Sequence, residues 1–206
     1  MGKNFASFLE NKIKETRKEN VFELVNNLNS PQVEKKLLSF IDKWQDIFPW
    51  LNLSLLKEEI KKENPWVVCL FAKEPLKQNI SERAICEFLD IEKLPVRGKN
   101  SVCFNSFGEI VPATKDKLVS KSADFYIDGR YYTQKYTREE GGAQDNQFHD
   151  VVLFLENGSK KNKVGAILDG SYWIEKGNLD HIKLLFQDNE NVIILTADEL
   201  LSQRSK

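Results

Sequence analysis

The sequence predicts an α/β core preceded by a helical region, and three observations support this. From Phe5 to Ile60 the apolar residues recur at helical spacing, which indicates amphipathic helices. From Asn79 onward helical patterns alternate with short apolar runs typical of buried strands. Within this second part, SADFYIDGRYYTQKY (122–136) places aromatic-rich runs on both sides of an Asp-Gly pair, which predicts a tight β-hairpin. This order of elements indicates an α/β fold.

Residues 1–78 are predicted to form helices. Ser30-Pro31 gives the favoured order of a cap residue followed by a first helical proline. The apolar run between Pro65 and Pro75 fits either a helix or a strand, because periodicity does not separate the two over so short a run. The other helical patterns consist of Phe5, Phe8, Leu9 and Ile13; Phe22, Leu24, Val25 and Leu28; Val33, Leu37, Phe40, Ile41 and Trp44; and Leu53, Leu56 and Ile60.

Residues 79–206 are predicted to form the α/β core. Asn79 can cap a helix that contains Ala84, Ile85, Phe88 and Leu89. A short strand near residues 101–104 and the hairpin follow, and then an amphipathic helix that starts after Gly141-Gly142 and ends at Asn157-Gly158. The last predicted elements are a strand over Val164–Leu168, a helix over Leu179–Phe186, a strand over Val192–Leu195 and a helical turn over Asp198–Leu201.

Composition limits the function classes. The chain has 206 residues, 41% of them hydrophobic, which allows one domain with a sizeable core and a small appendage. A formal net charge of −1 gives no global basic field, although 30% charged residues leave room for local basic patches. Three cysteines without C-x-x-C spacing argue against a disulfide framework or a cysteine zinc site. We expect a cytoplasmic protein with no membrane partner, because neither a signal peptide nor a long apolar run is present.

The hairpin brings together the residues that carry chemistry. If Asp128 and Gly129 are the loop residues, counting outward places Asp124 opposite Thr133. Side chains alternate along a strand, so Asp124, Thr133 and Lys135 fall on one face, and opposed side chains lie about 5 Å apart. An acid and a lysine held this close on a rigid sheet could bind a divalent cation and polarise a phosphate.

From Ser81 to Leu195 the order of elements resembles the core of the PD-(D/E)XK nuclease superfamily, and within it the type II restriction endonucleases. That family carries an acid on one hairpin strand, acid-x-lysine on the next strand, and often a glutamine on the following helix. Asp124 corresponds to the first acid, Lys135 to the lysine and Gln144 to the glutamine. The resemblance implies a restriction-endonuclease-like mixed β-sheet flanked by helices, and it leaves the N-terminal third unexplained.

The chain departs from the family pattern at Thr133, which stands where the second acid is expected. A neutral threonine is a poor Mg²⁺ ligand beside a carboxylate. In some restriction enzymes the acid comes from the next helix, and otherwise the site is inactive. The candidates for this role are Glu139, Glu140, Asp145 and Asp150, of which we favour Asp150 because it lies on a predicted helix.

Glu82 resembles a glutamate that some members carry on their first helix. It also lies three residues after Asn79, so a capping box is an equal alternative for this residue.

The resemblance implies a Mg²⁺-dependent, site-specific endonuclease for double-stranded DNA. Cleavage of both strands implies a homodimer on a two-fold site, and phosphate contacts would weaken with salt. The implied site comprises Asp124, Asp150 and Glu82 as metal ligands; Asp124, Lys135, Thr133 and Gln144 as catalytic residues; and Arg130, Lys135 and Arg138 as DNA contacts.

Two other function classes stay open. The first is an inactive DNA-binding or inhibitory module that retains the nuclease fold, which Thr133 supports. The second is a protein-binding domain in which Asp124 and Lys135 share a face by coincidence, as an ordinary cross-strand hydrogen bond and a solvated charge.

Simpler roles are expected for several other residues. Asp128 is expected to serve only the turn, and His149 and His181 to be structural or surface residues. The tryptophans of the helical region are expected to pack on the core or to form a dimer contact and a DNA-facing arm. They are Trp44, Trp50 and Trp66.

Overall fold

The computed structural model describes residues 4–113, 119–137 and 142–205, without the side chains of residues 76, 77 and 143–145. Two compact units make up this part of the chain. Leu9–Ile80 is the helical unit, and the residues up to Phe8 together with those from Ser81 onward are the α/β unit. The division lies two residues beyond the boundary predicted between residues 78 and 79. The first eight residues were assigned to the helical region from the sequence, whereas they cluster with the α/β unit.

Side-chain caps start three of the helices that precede residue 80. Ser30, Asn52 and Asn64 each accept a hydrogen bond from a backbone NH of the first turn. Proline follows directly after two of these caps, at Pro31 and Pro65. The ambiguous apolar run after Pro65 is therefore a helix. The bounds are α1, Phe5–Asn26; α2, Pro31–Trp44; α3, Leu53–Lys61; α4, Pro65–Phe71; and a 3₁₀ turn, Pro75–Gln78.

The helical unit has its own apolar core, and this core takes in only one of the three tryptophans. Trp44 is partly buried against it and lies beside Phe40. Trp50 and Trp66 are 64% and 83% exposed, so core packing does not explain them. The buried residues are Leu24, Leu28, Leu37, Ile41, Leu51, Leu56, Ile60, Val68 and Phe71.

A four-stranded mixed sheet forms the centre of the α/β unit, which confirms the predicted mixed α/β class. Its order is β3-β4-β5-β6. The first pair is antiparallel, whereas β5 runs parallel to both β4 and β6. The strands are β1, Cys103–Phe104; β2, Ile110–Val111; β3, Phe125–Ile127; β4, Arg130–Tyr136; β5, Val164–Asp169; and β6, Val192–Leu195. The helices are α5, Ile80–Leu89; α6, Gly142–Gly158; α7, Ser171–Ile174; α8, Asn178–Leu185; and α9, Ala197–Arg204.

The predicted strand near residues 101–104 exists, but it pairs within a separate two-stranded sheet. β1 is antiparallel to β2, and a tight turn joins them. The Asn105 side chain accepts hydrogen bonds from the NH groups of Phe107 and Glu109, and Gly108 adopts a φ of +78°. This turn folds the chain back directly, and backbone hydrogen bonds from the NH groups of Ser120 and Ala123 to the carbonyl oxygens of Phe104 and Val102 connect the β1 segment with the one that precedes β3.

The central strand β5 is buried at all six positions, as its continuous apolar run predicts. One face of the sheet packs against α6, α7 and α8, around Phe154, Leu155, Trp173 and Ile182. Within residues 4–113, 119–137 and 142–205, no helix has the length and apolar character needed to cross a bilayer.

The end of β5 is fixed by a close backbone contact. Gly170 has a φ of +98°, and a Cβ atom there would lie 2.2 Å from the Thr137 carbonyl oxygen. The NH of Thr137 in turn donates to the Asp169 carbonyl oxygen at 3.0 Å. The chain therefore leaves β5 through a turn that only glycine fits.

Asp169 ends β5 with a buried carboxyl group that is 5% exposed. It accepts from the Ala197 NH at 3.2 Å, and burial raises the pKa of Asp169 to about 7 against an ordinary value of 3.8. The folded state therefore holds this proton more tightly than the unfolded chain does. The protonated carboxyl of Asp169 therefore contributes fully to the stability of the fold below about pH 4, and this contribution is lost as the pH rises through 7.

We expect Asp169→Asn to stabilise the protein at pH 8 but not at pH 4. Asparagine keeps an oxygen acceptor for Ala197 but cannot ionise. The free energy of unfolding should exceed the parent's by at most about 4 kcal/mol at pH 8 and match it within about 1 kcal/mol at pH 4. Urea midpoints at both pH values measure this, with exposed Asp188→Asn as the control. An equal shift at both pH values would exclude ionisation as the cause.

Candidate active site

The predicted hairpin is present in the predicted register. Phe125 lies opposite Tyr132, and Ile127 lies opposite Arg130. Asp128 and Gly129 have φ values of +50° and +80°, and positive φ at both loop residues is what a type I′ turn requires. β3 begins at Phe125, so it is shorter than the predicted strand and Asp124 lies directly before it.

The carboxylate of Asp124 is buried and held by the facing strand. It is 6% exposed. Its Oδ2 atom accepts a hydrogen bond from the Gln134 NH at 2.7 Å and one from the Thr133 hydroxyl at 3.4 Å. Asp124 and Thr133 therefore lie together, as the hairpin register predicts. Both of these hydrogen bonds from described residues end on Oδ2.

Charged groups on β4, on α5 and in the segment that follows α5 affect this carboxylate. Burial raises the pKa of Asp124, the ammonium of Lys135 and the NH of Gln134 lower it, and Glu82 and Lys93 have smaller opposing effects. Lys135 is partly buried on β4. The hairpin thus brings the predicted lysine close enough to the predicted acid to lower the pKa of Asp124.

Glu82 lies on α5 and forms an ion pair with Lys93. Asn79 has a φ of +54° and does not adopt the extended conformation that is typical of an N-cap residue, so the alternative of a capping box is not supported. No sequence pattern indicated that Lys93 belongs to this site. An isolated backbone bridge between Lys93 and Phe125, at the start of β3, positions Lys93 next to the site. This bridge joins residues more than thirty positions apart in the chain.

Glu82 brings a second carboxylate near Asp124, since its charge raises the Asp124 pKa. Asp150 lies on α6 with a partly buried side chain, and it is not among the groups that shift the Asp124 pKa. No three His, Cys, Asp or Glu residues of the described part lie close enough to hold a metal ion together. The predictions for Arg138, Glu139 and Glu140, and for the side chains of Gln144 and Asp145, fall outside the described residues.

Arg130 has an internal role in the sheet. Its guanidinium donates hydrogen bonds to the carbonyl oxygens of Val164, at 2.7 Å, and Asn191. These bonds tie the start of β4 to the start of β5 and to the segment that precedes β6. Both bonds start from Nη1, so the predicted contact with DNA phosphates would use the other donors of the guanidinium.

The donor set fits a hard divalent cation in part. Mg²⁺ prefers oxygen ligands and is commonly held by one or two carboxylates together with water and substrate phosphate. Asp124 supplies one such carboxylate, and the Thr133 hydroxyl lies beside it. The described residues therefore suit a cation that also needs ligands from the substrate.

Comparison with known proteins gives no match: no family model, no curated protein and no solved structure is similar enough to count. Any statement about function therefore depends on the chemistry of the site itself.

We expect loss of Lys135 to raise the pKa of Asp124. Lys135→Met removes the largest opposing charge from a buried carboxyl, so the pKa should rise further above its ordinary value. Lys93→Met should raise it less. Carboxyl NMR titration measures the change, and Lys183→Met is the matched control, because Lys183 pairs with Glu199. An unchanged Asp124 pKa in Lys135→Met would contradict this electrostatic coupling.

Proposed function

We propose that this chain is a Mg²⁺-dependent, site-specific endonuclease for double-stranded DNA with a restriction-endonuclease-like core. The observation that carries the proposal is the buried carboxylate of Asp124, held by β4 beside Lys135. The order of the sheet supports it, since an antiparallel hairpin is followed by a helix and a strand parallel to β4. Action as a homodimer on a two-fold DNA site belongs to the same proposal.

Each residue of the site has a defined task in this proposal. The Gln134 NH and the Thr133 hydroxyl fix Asp124 so that its carboxylate is presented as a metal ligand. When bound, the cation lowers the pKa of attacking water and neutralises charge that develops on the phosphate. Lys135 is a compact point charge on a partly buried strand, and it holds a phosphate oxygen or the attacking water. The raised pKa of Asp124 means that the carboxylate becomes a better ligand as the pH rises.

Loss of either central residue should abolish cleavage without preventing DNA binding. We expect Asp124→Ala and Lys135→Ala each to lower the rate of plasmid cleavage in Mg²⁺ by at least about a hundredfold. Binding in Ca²⁺ should stay within about tenfold of the parent, because Lys135 acts mainly in the transition state. Lys135→Arg should not rescue cleavage, since a planar guanidinium cannot replace an ammonium in a tight site.

Lys163→Ala is the control for this pair, because Lys163 is exposed and precedes β5. Cleavage by both alanine variants at the parent's rate would remove this hairpin from the mechanism.

Four single variants test which carboxylate supplies the second acid. Asp150→Asn, Asp145→Asn, Glu139→Gln and Glu140→Gln each remove one carboxylate with little change in shape. We expect one of them, Asp150→Asn in our prediction, to abolish cleavage while the urea midpoint stays at the parent's value. If all four cut at the parent's rate, none of these carboxylates is a metal ligand.

One observation favours a second candidate, a DNA-binding or inhibitory module without cleavage. Thr133 is 2% exposed, and its hydroxyl donates to Asp124. Because threonine is neutral, Asp124 is the only acid on this face of the described hairpin. A single digest separates the two functions. Cleavage that requires Mg²⁺ and stops with EDTA supports the endonuclease, whereas binding in Ca²⁺ without any cleavage in Mg²⁺ supports the module.

A further inference from the structure

Helix α2 carries a row of lysines opposite its buried face. Leu37 and Ile41 point into the core of the helical unit. Lys35, Lys36 and Lys43 are exposed and, at 3.6 residues per turn, lie together on the other side of the helix. They line a groove of about 980 Å³ between α2 and α4. We call it the lysine groove: the three lysines form its rim, and Phe40, Leu70 and Phe71 form its floor.

The rim lysines are not paired with carboxylates of the described residues, whereas neighbouring charges are paired, and the Lys43 ammonium lies over the Trp44 ring, 5.4 Å from its centroid. On the same helix, Glu34 binds Lys57, and at the far side of the groove Glu74 binds Arg17 at 2.9 Å. Lys35, Lys36 and Lys43 make no ion pair with any described residue, and Asp42 does not line the groove. Unpaired cations that face one groove create a local positive potential despite a net charge of −1 for the whole chain.

The dimensions and surface of the groove fit a polyanion. Lys35 and Lys43 are eight residues apart, so they are separated by about 12 Å along the helix axis. This distance covers three to four nucleotides of one DNA strand, at about 3.4 Å each. The floor offers apolar contact for sugars, since Leu70 is 59% exposed. Ser39 and Gln32 add hydrogen-bond donors along the same side of α2.

We propose that the lysine groove binds the phosphate backbone of duplex DNA. The choice of DNA rests on the proposed function, while the charge argument itself requires only a polyanion. The groove contacts phosphates rather than base edges, so it supplies affinity that does not depend on sequence. Binding in this groove also gives the helical unit a function, which the chemistry of the hairpin does not provide.

Binding of a labelled 20-base-pair duplex in Ca²⁺ tests the proposal. The groove variant combines Lys35→Gln, Lys36→Gln and Lys43→Gln. The control variant combines Lys14→Gln, Lys18→Gln and Lys61→Gln, three exposed lysines of the same unit that line no part of the groove. Both variants lose three positive charges, and both should keep the parent's urea midpoint because all six side chains are exposed.

We expect the groove variant to bind at least about tenfold more weakly than the parent, and the control variant to stay within about threefold. The slope of log K against log salt concentration should fall by about 2 to 3 in the groove variant alone, since each lost phosphate contact contributes about 0.9. Equal losses in both variants, or none in the groove variant, would overturn the proposal.

A 20-residue polyglutamate peptide provides the alternative occupant. If it binds the parent more tightly than the duplex does and loses affinity in the groove variant, the groove serves an acidic protein and the DNA proposal is wrong. The readout is binding, so it stays separate from cleavage. A parent that fails to cut DNA but loses duplex binding in the groove variant refutes the endonuclease and retains the groove.

Discussion

The hydrogen bonds of Asp124 hold together the segments on which the candidate site depends. Its NH donates to the Tyr132 carbonyl, its carbonyl accepts from the Leu94 NH, and its carboxylate accepts from the Gln134 NH. One residue thus joins the hairpin to the segment that follows α5. A buried carboxylate is costly unless such donors and a nearby cation offset its lost hydration, and Lys135 supplies that cation. The carboxylate at this position therefore holds the fold together, and the proposed metal site requires the same carboxylate.

The sequence predicted best where a local rule fixes the backbone. The Asp128-Gly129 turn determined the register of β3 and β4, and the continuous apolar run of β5 determined its central place. Asn105 and Gly108 are residues that favour a turn, and the chain folds back at this turn so that β1 pairs with β2.

Other features depended on contacts that no local pattern reveals. Lys93 reaches the site through a bridge to a strand far along the chain. Trp66 looks like a core residue by its hydrophobicity, yet it is exposed, because a side chain's burial depends on whether another element covers it. The lysine groove could not be predicted from the net charge of −1, because a net charge does not describe how charges are arranged on one helix.

Two glycines in this fold are required by the backbone and not by any reaction. Gly129 closes the hairpin with a positive φ, and Gly170 leaves no room for a Cβ atom beside Thr137. Each follows an aspartate, so the chain contains two Asp-Gly pairs at the two ends of the β4–β5 unit. Chains that inherited this scaffold but lost or replaced its acid and lysine would still need both glycines. The spacing of these pairs is therefore determined by the backbone geometry of the hairpin turn and of the exit from β5, and it is independent of activity.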